Sequence, residues 1–147
     1  MKWYENAVFY HIYPIGYLGC PRQNDFTSEP THKILRVIDN IPHIKELGCN
    51  AIYFGPVFES SAHGYDTADY TKIDRRIGTN EDFKKVCDAL HENGIKVVVD
   101  GVFNHVGRDF WAFKDVREHK LGSAKKDWFH VREGNDGYND GFWYEGW

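Results

Sequence analysis

"TNEDFKKVCDALHENGIKVVVDGVFNH", residues 79–105, reads as one helix followed directly by one strand. Thr79 with Asp82 three residues later is the capping-box pattern that begins a helix. The helix has one apolar face with helical spacing, made of Phe83, Val86 and Leu90. Gly94 ends the helix, and three consecutive valines then form a β-branched run that is typical of a buried strand.

Two further runs have the length and composition of strands, so the predicted strands are "AVFYHIY" (7–13), "AIYFGPV" (51–57) and "KVVVDGV" (96–102). These runs are continuous rather than alternating, as expected of parallel strands covered on both faces. Between the first two, "ILRVIDNIPHIKEL" (34–47) predicts a helix that ends at Gly48, and Pro42 predicts a kink or a late start. The order of strands and helices predicts an α/β fold with right-handed parallel crossovers.

The composition is that of a globular protein with one ordinary domain, since 147 residues are enough for a core. A net charge of −4 argues against a nucleic-acid-binding protein, which would carry a basic excess. Cys20, Cys49 and Cys87 form no C-x-x-C pair and are predicted to be reduced, buried thiols. There is no apolar signal segment before Pro14 and no run of about 18 apolar residues, so we expect a cytoplasmic protein that does not enter a membrane.

The composition of the sequence changes at about residue 107, where it becomes aromatic, charged and Gly-rich without a long helical period. We predict an irregular, strand-containing excursion here, with no helix or strand completed at Trp147. Three parallel strands cannot close a barrel, and an open sheet would leave strand edges unpaired. We therefore expect the chain to be the front part of something longer.

Polar and aromatic side chains follow the second and third predicted strands. "FESSAHGYDTADYTKID" (58–74) includes Tyr65, and the third strand is followed by Asp100, Asn104 and His105. Each residue alone has a simpler interpretation, as a turn cap, a backbone hydrogen-bonding group or a packed loop aromatic. In βα folds, however, these loops converge at the carboxyl ends of the strands. An aromatic face, an imidazole and carboxylates on one rim are typical of sugar binding.

Other catalytic patterns are absent from the sequence. There is no H-E-x-x-H, no G-x-S-x-G and no Walker-type glycine-rich loop. An unrelated βα protein such as a sugar-phosphate isomerase stays the weakest alternative, because no phosphate-binding glycine cluster is found.

The motifs together resemble the alpha-amylase family of glycoside hydrolases over nearly the whole chain. "VFYHIYPIGY" (8–17) is similar to the family's first barrel strand, and "IPHIKELGCNAIYFGPVFES" (41–60) to its first helix and second strand. "HGYDTADYTKIDRRIGTNEDFKKVCDALHENGIKVVVDGVFNHVG" (63–107) is similar to the long block around the third strand, including the hallmark segment "DGVFNH" (100–105).

The resemblance implies an incomplete TIM (β/α)8 barrel of the α/β class. Residues 1–106 would be the N-terminal part of the catalytic barrel, with its first three strand units. Residues 107–147 would be the start of domain B, which this family inserts after the third strand.

The resemblance also implies roles for individual residues. Tyr65 would stack on the sugar whose anomeric carbon reacts, and His105 would hydrogen-bond the same sugar. Asp100 would organise the pocket floor by pairing with an Arg near the nucleophile, and Asp66 would support the pocket through hydrogen bonds. Asn104 would be a ligand in members that bind calcium there; calcium is possible, and no cofactor is required.

The implied activity is retaining hydrolysis of α-glucosidic bonds in maltodextrin-like oligosaccharides, with an α-glucan oligosaccharide as the partner. The family's Asp nucleophile, Glu acid/base and second Asp follow later strands, so no catalytic residue is assigned here and the isolated chain is expected to be inactive. Ala62 stands where glucosidase-like members often carry Asp, and "YDTADY" (65–70) is closer to members acting on maltodextrins and cyclic dextrins. A transglycosylase of the same family and a non-catalytic carbohydrate-binding relative remain alternatives, and the choice between α-1,4 and α-1,6 linkages stays open.

Overall fold

The computed structural model describes residues 2–135 and 141–144. The chain forms two compact units, Met1–Gly107 and Arg108–Trp147. The strands of the first unit are β1 (Phe9–Ile12), β2 (Ala51–Phe54), β3 (Phe58–Ser60), β4 (Thr67–Ile73) and β5 (Lys96–Val99). Its helices are α1 (Pro14–Tyr17), α2 (Ile41–Glu46) and α3 (Asn80–Glu92), with 3₁₀ turns at Trp3–Asn6 and Lys33–Asn40.

A parallel sheet in the order β1-β2-β5 is the base of the first unit. Ile12 pairs with Phe54, which pairs with Val99, so the carboxyl ends of all three strands are level. The predicted strand–helix–strand–helix–strand order and the parallel sheet are confirmed. The strands are shorter than the predicted runs, because Pro14 begins α1 and Pro56, which has no N–H for the ladder, follows β2 closely.

The connection between β1 and β2 is helical, as predicted for residues 34–47, but only its second part is an α-helix. The 3₁₀ helix Lys33–Asn40 is followed directly by α2. The late start that Pro42 predicted is confirmed, since Pro42 lies in the first turn of α2, where a missing N–H is tolerated. Gly48 has φ +75° and ends the helical segment, as expected.

Helix α3 follows its sequence signals closely. Thr79 Oγ1 accepts a hydrogen bond from the N–H of Asp82 at 3.1 Å, and Asp82 Oδ2 accepts one from the N–H of Thr79 at 3.1 Å. His32 Nδ1 lies 2.6 Å from the same carboxylate oxygen. Burial opposes ionisation of Asp82, but the hydrogen bonds from His32 and Thr79 outweigh it and hold the pKa of Asp82 below its usual value. Gly94, with φ +75°, ends the segment.

The core of the first unit lies between the parallel sheet and the helical segments around it. Its fully buried side chains are Ile34, Val37, Ile44, Ile52, Phe54, Val57, Ile77, Val86 and Leu90. The three valines expected to build a strand belong to β5, and Ile95 enters the core just before them.

An antiparallel hairpin of β3 and β4 occupies the segment predicted to be a loop, so that prediction is wrong for these residues. Phe58 pairs with Ile73 and Ser60 with Thr67, with register irregularities between them. The two strands contain Glu, Ser, Thr and Asp, and such a polar sequence does not predict a strand. These polar side chains are tolerated because they find hydrogen-bond partners inside the fold. The hairpin carries Tyr65 in the turn between its strands.

The second unit contains helix α4 (Trp111–His119), 3₁₀ turns at Lys120–Gly122 and Lys126–Trp128, and the antiparallel pair β6 (Val131–Asn135) and β7 (Gly141–Tyr144). The expectation of strands is confirmed, but the region is less irregular than predicted, because it also contains α4. Ala112, Phe113 and Val116 are buried on one face of α4, and nine residues are too short to show a long apolar period. Trp147, where no element was expected to be complete, lies outside the described residues.

Candidate functional site

The carboxyl edge of the parallel sheet brings three chain segments together. The N–H of Gly55 donates to Ile12 O at 2.8 Å, and the N–H of Asp100 donates to Phe54 O at 2.9 Å. These bonds extend the two ladders by one residue, so Tyr13, Gly55 and Asp100 leave the sheet side by side. The edge is the place where βα folds bind ligands.

A tight turn of residues 62–66, here called the Tyr65 turn, joins β3 to β4. Asp66 Oδ1 accepts hydrogen bonds from the N–H groups of His63 at 3.1 Å and Gly64 at 3.2 Å. The N–H of Tyr65 donates to His63 Nδ1 at 3.2 Å. The side chain of Tyr65 remains 41% exposed, which leaves an aromatic surface open to a ligand.

The loop after β5 meets the Tyr65 turn. His105 Nε2 lies 2.8 Å from Tyr65 O, and because a carbonyl only accepts, Nε2 is the donor. The N–H of Gly107 donates to Thr67 O at 2.8 Å. A Cβ at Gly107 would lie 2.3 Å from Asp66 O, so glycine is required for this close approach. The structure thus brings His105 to Tyr65 and Asp66, and His105 follows Tyr65 by 40 residues in the sequence.

Asp100 is hydrogen-bonded to Tyr53, a residue that the sequence did not predict to belong to the site. Tyr53 lies on the neighbouring strand β2, and its hydroxyl donates a hydrogen bond to Asp100 Oδ2 at 2.7 Å. The centres of the Tyr53 and His11 rings are 5.0 Å apart. The hydrogen bond to Asp100, with burial second, raises the pKa of Tyr53 to about 12. A tyrosine in a largely apolar strand needs a partner for its hydroxyl, which is the signal that could have identified Tyr53.

Alkaline titration of Tyr53 tests this pairing. The fold raises the pKa of Tyr53, so the pairing stabilises the protein fully below the usual tyrosine value of about 10, and this contribution is lost as pH rises toward the folded value. Carbon-13 NMR of the tyrosine ring carbons should show Tyr53 ionising near pH 12, and Asp100→Ala should move this midpoint toward 10. Asp88→Ala, which removes an exposed carboxylate on α3, is the control and should leave the Tyr53 midpoint unchanged. A Tyr53 midpoint that is the same in Asp100→Ala as in the wild type would contradict the pairing.

Asn104 follows β5 and is exposed. Calcium takes about six to eight oxygen ligands, of which one amide supplies one. In the part of the chain that the structure describes, no group of three or more His, Cys, Asp or Glu side chains could hold a metal ion.

A buried ion pair lies under the hairpin that carries the Tyr65 turn. Arg76 Nε and Nη2 donate to the two carboxylate oxygens of Asp74 at 2.9 and 2.7 Å, and the two side chains are 5% and 0% exposed. Burial would lower the pKa of Arg76, but the hydrogen bond and charge of Asp74 outweigh it and raise that pKa. Ser60 Oγ also contacts both partners, donating to Asp74 at 3.0 Å and accepting from Arg76 at 2.9 Å.

Arg76 ties this pair to two other chain segments. Its Nη1 donates to the carbonyl oxygens of Ala62 at 2.7 Å and of Pro21 at 3.1 Å. Tyr70 similarly fixes the loop after β5, since its hydroxyl contacts the carbonyl oxygens of Val102 and His105. None of these anchors was predicted, because each joins residues that the sequence alone does not place side by side.

In the described residues, no helix has the length and apolarity that crossing a membrane requires.

The geometry is that of an α/β fold with a candidate ligand site at the carboxyl edge of its sheet, and comparison with known proteins identifies the family. Residues 31–147 match the family model described as alpha amylase, catalytic domain. The chain belongs to the alpha-amylase family, as its motifs predicted. Its three parallel strands are accordingly part of a TIM barrel, which confirms the predicted fold class of an incomplete barrel.

Individual relatives are similar over most of the chain. The chain is 40% identical over 144 residues to a cyclomaltodextrinase of Bacillus sp, covering 88% of this chain and 26% of that protein. It is 41% identical over 146 residues to a maltogenic alpha-amylase of Bacillus acidopullulyticus, covering 90% and 25%. The chain thus spans about a quarter of the length of these curated relatives.

A solved structure shows the same similarity in three dimensions. Cyclic alpha-maltosyl-(1→6)-maltose hydrolase from Arthrobacter globiformis, in complex with maltose, is 38% identical with a TM-score of 0.76. The match covers 92% of this chain and 34% of that one.

Proposed function

We propose that this chain supplies the substrate-holding part of a glycoside hydrolase that cleaves α-glucosidic bonds of maltodextrin-like oligosaccharides by a retaining mechanism. The observation that carries the proposal is the hydrogen bond between His105 and the exposed Tyr65, at 2.8 Å, beside the carboxyl edge of the sheet. The names of the relatives support the substrate class, since they include a cyclomaltodextrinase and a maltogenic alpha-amylase.

In this proposal the rim holds and orients one sugar ring. The exposed face of Tyr65 stacks on the apolar face of the sugar, and His105 hydrogen-bonds its hydroxyl groups. Asp66 supports the pocket by fixing the backbone that carries Tyr65. Asp100 shapes the floor, where its bond to Tyr53 holds the carboxylate in place.

The attacking groups belong to residues outside this chain. Retaining hydrolysis needs a nucleophilic carboxylate and an acid/base carboxyl about 5 Å apart. The two most buried carboxylates near the site are already engaged: Asp74 pairs with Arg76 at 2.7 Å and Glu59 pairs with Arg75 at 2.6 Å. Both stabilise the hairpin, and we assign no catalytic residue in this chain.

The two compact units correspond, in this proposal, to two parts of the family's architecture. Met1–Gly107 is the N-terminal part of the catalytic barrel, and Arg108–Trp147 is the start of the domain inserted after the third strand.

Calcium at Asn104 and a cytoplasmic location are also proposals. A calcium ion there needs further oxygen ligands from outside the described residues. The three cysteines, Cys20, Cys49 and Cys87, are unpaired thiols, which supports a reducing compartment such as the cytoplasm.

Release of reducing sugar tests the proposal. The whole protein that carries this chain should hydrolyse maltodextrins and cyclodextrins, whereas the isolated 147-residue chain should release no more than a buffer blank. Transfer products without net hydrolysis would instead identify a transglycosylase, and binding without turnover a carbohydrate-binding relative. Hydrolysis by the isolated chain well above the blank would contradict the assignment of the attacking groups to residues outside it.

A further inference from the structure

Three side chains from outside the Tyr65 turn donate hydrogen bonds to its backbone carbonyls. The carbonyl of Ala62 accepts from Arg76 at 2.7 Å, and the next carbonyl, of His63, accepts from the hydroxyl of Tyr13 at 2.8 Å. The carbonyl of Tyr65 itself accepts from His105 at 2.8 Å. The N–H groups of His63, Gly64 and Tyr65 are bonded inside the turn, so the peptide groups on both sides of Tyr65 are held in orientation.

Tyr13 is the anchor that comes from the sheet itself. It follows β1 directly, and its ring is fitted against glycines, since a Cβ would lie 3.3 Å from the ring at Gly55 and 2.9 Å at Gly16. The ring therefore has a defined place at the carboxyl edge of the sheet. Burial raises the pKa of Tyr13, although Arg76 opposes this, so its hydroxyl stays protonated and able to donate.

His63 connects Tyr13 to Tyr65, because a hydrogen bond at the His63 carbonyl restrains the backbone next to Tyr65. His63 Nδ1 accepts the N–H of Tyr65 at 3.2 Å, and its own N–H is held by Asp66 at 3.1 Å. A shift of the His63 carbonyl rotates the peptide between His63 and Gly64, and it moves the His63 side chain to which the N–H of Tyr65 is bonded. The movement would pass to the ring of Tyr65.

We propose that Tyr13 is a positioning residue for the sugar-binding rim, acting through the His63 carbonyl to hold the ring of Tyr65 in its stacking orientation. The inference rests on the proposed function and deepens it, because it adds a residue that sets the affinity for an α-glucan without touching the reacting atoms. If the Tyr65 ring is already held in its stacking orientation, it loses less conformational freedom when the sugar binds, and the sugar binds more tightly.

Tyr13→Phe in the whole protein tests the proposal, since it removes one oxygen and keeps the ring between Gly55 and Gly16. KM for a maltodextrin should rise about fivefold, the equivalent of one net hydrogen bond, while kcat stays within about twofold. A general loss of folded protein would lower kcat and leave KM unchanged. Tyr10→Phe is the matched control, because Tyr10 lies on β1 and its ring packs against His43, and it should change neither constant.

A double-mutant cycle with Tyr65→Ala shows whether Tyr13 acts through Tyr65. In that background Tyr13→Phe should have no further effect on KM, because the ring to be positioned is gone. Hydrogen exchange gives a readout that needs no substrate: the amides of residues 63–65 should exchange faster in Tyr13→Phe than in the wild type or Tyr10→Phe.

The outcomes separate the two claims. An unchanged KM in Tyr13→Phe, or an equal effect with and without Tyr65, would overturn the positioning role even where the wild type hydrolyses maltodextrin and Tyr65→Ala is impaired. Failure of the wild-type protein to bind or hydrolyse any α-glucan would overturn the proposed function, and the hydrogen exchange of residues 63–65 would then still report whether Tyr13 holds the turn.

Discussion

Asp74→Ala is expected to lower the free energy of unfolding by about 3 to 5 kcal/mol, the cost of leaving a buried charge without its partner. Asp74 is 0% exposed and accepts hydrogen bonds from Arg76 and Ser60. A guanidinium cannot discard its proton at accessible pH, so the charge of Arg76 would stay in the interior uncompensated. The measurement is urea denaturation followed by circular dichroism.

Asp88→Ala is the matched control for this prediction. Asp88 forms an ion pair of similar length with Lys84, at 2.6 Å, but the two side chains are 52% and 74% exposed. Because water screens that pair, its removal should leave the free energy of unfolding almost unchanged. A cost for Asp74→Ala no larger than for Asp88→Ala would show that the buried pair does not stabilise the hairpin.

A double substitution distinguishes the loss of the Asp74–Arg76 interaction from the cost of leaving the Arg76 charge buried without a partner. Asp74→Leu combined with Arg76→Met removes both charges, and it should recover part of the stability lost in Asp74→Ala. Recovery would be incomplete, because Arg76 also donates to Ala62 O and Pro21 O, and those carbonyls would lose a partner.

Features that depend on neighbouring residues were predictable from the sequence. The capping box of Thr79 and Asp82 spans three residues, and Gly94 ends its helix by a local conformation, so both could be inferred without a structure. The parallel sheet was predictable for a related reason, since runs of β-branched residues alternate with helices along the chain.

The anchors of the site could not be predicted because they join distant residues. Tyr53 and Asp100 are 47 residues apart, and Tyr13 and His63 are 50 apart. Their contacts depend on strand register and on the path of a hairpin whose polar sequence resembles a loop. Tyr65 and His105 were identified through family motifs, but the hydrogen bond between the imidazole and the Tyr65 backbone required the structure.

Tyr65→Ala is expected to reduce kcat/KM for maltodextrin by about thirtyfold, since stacking a sugar on the exposed ring buries apolar area worth about 2 kcal/mol. The substitution removes the ring while the Tyr65 turn keeps its backbone bonds to Asp66 and His105. Stability should therefore change little, because the side chain is 41% exposed and contributes little to the core.

Tyr4→Ala provides the matched control. Tyr4 is 53% exposed and precedes β1, so it lies toward the amino end of the strand, away from the carboxyl edge that carries the proposed site. Loss of this ring should leave kcat/KM within about twofold of the wild type, the range expected of a surface change that touches no substrate.

The ratio of kcat/KM between wild type, Tyr65→Ala and Tyr4→Ala, measured on one maltodextrin with the whole protein, tests the sugar-holding role of this rim most directly. The proposed rim predicts a fall of about thirtyfold for Tyr65→Ala and no comparable change for Tyr4→Ala. Equal activity of wild type and Tyr65→Ala, with both proteins folded, would contradict it.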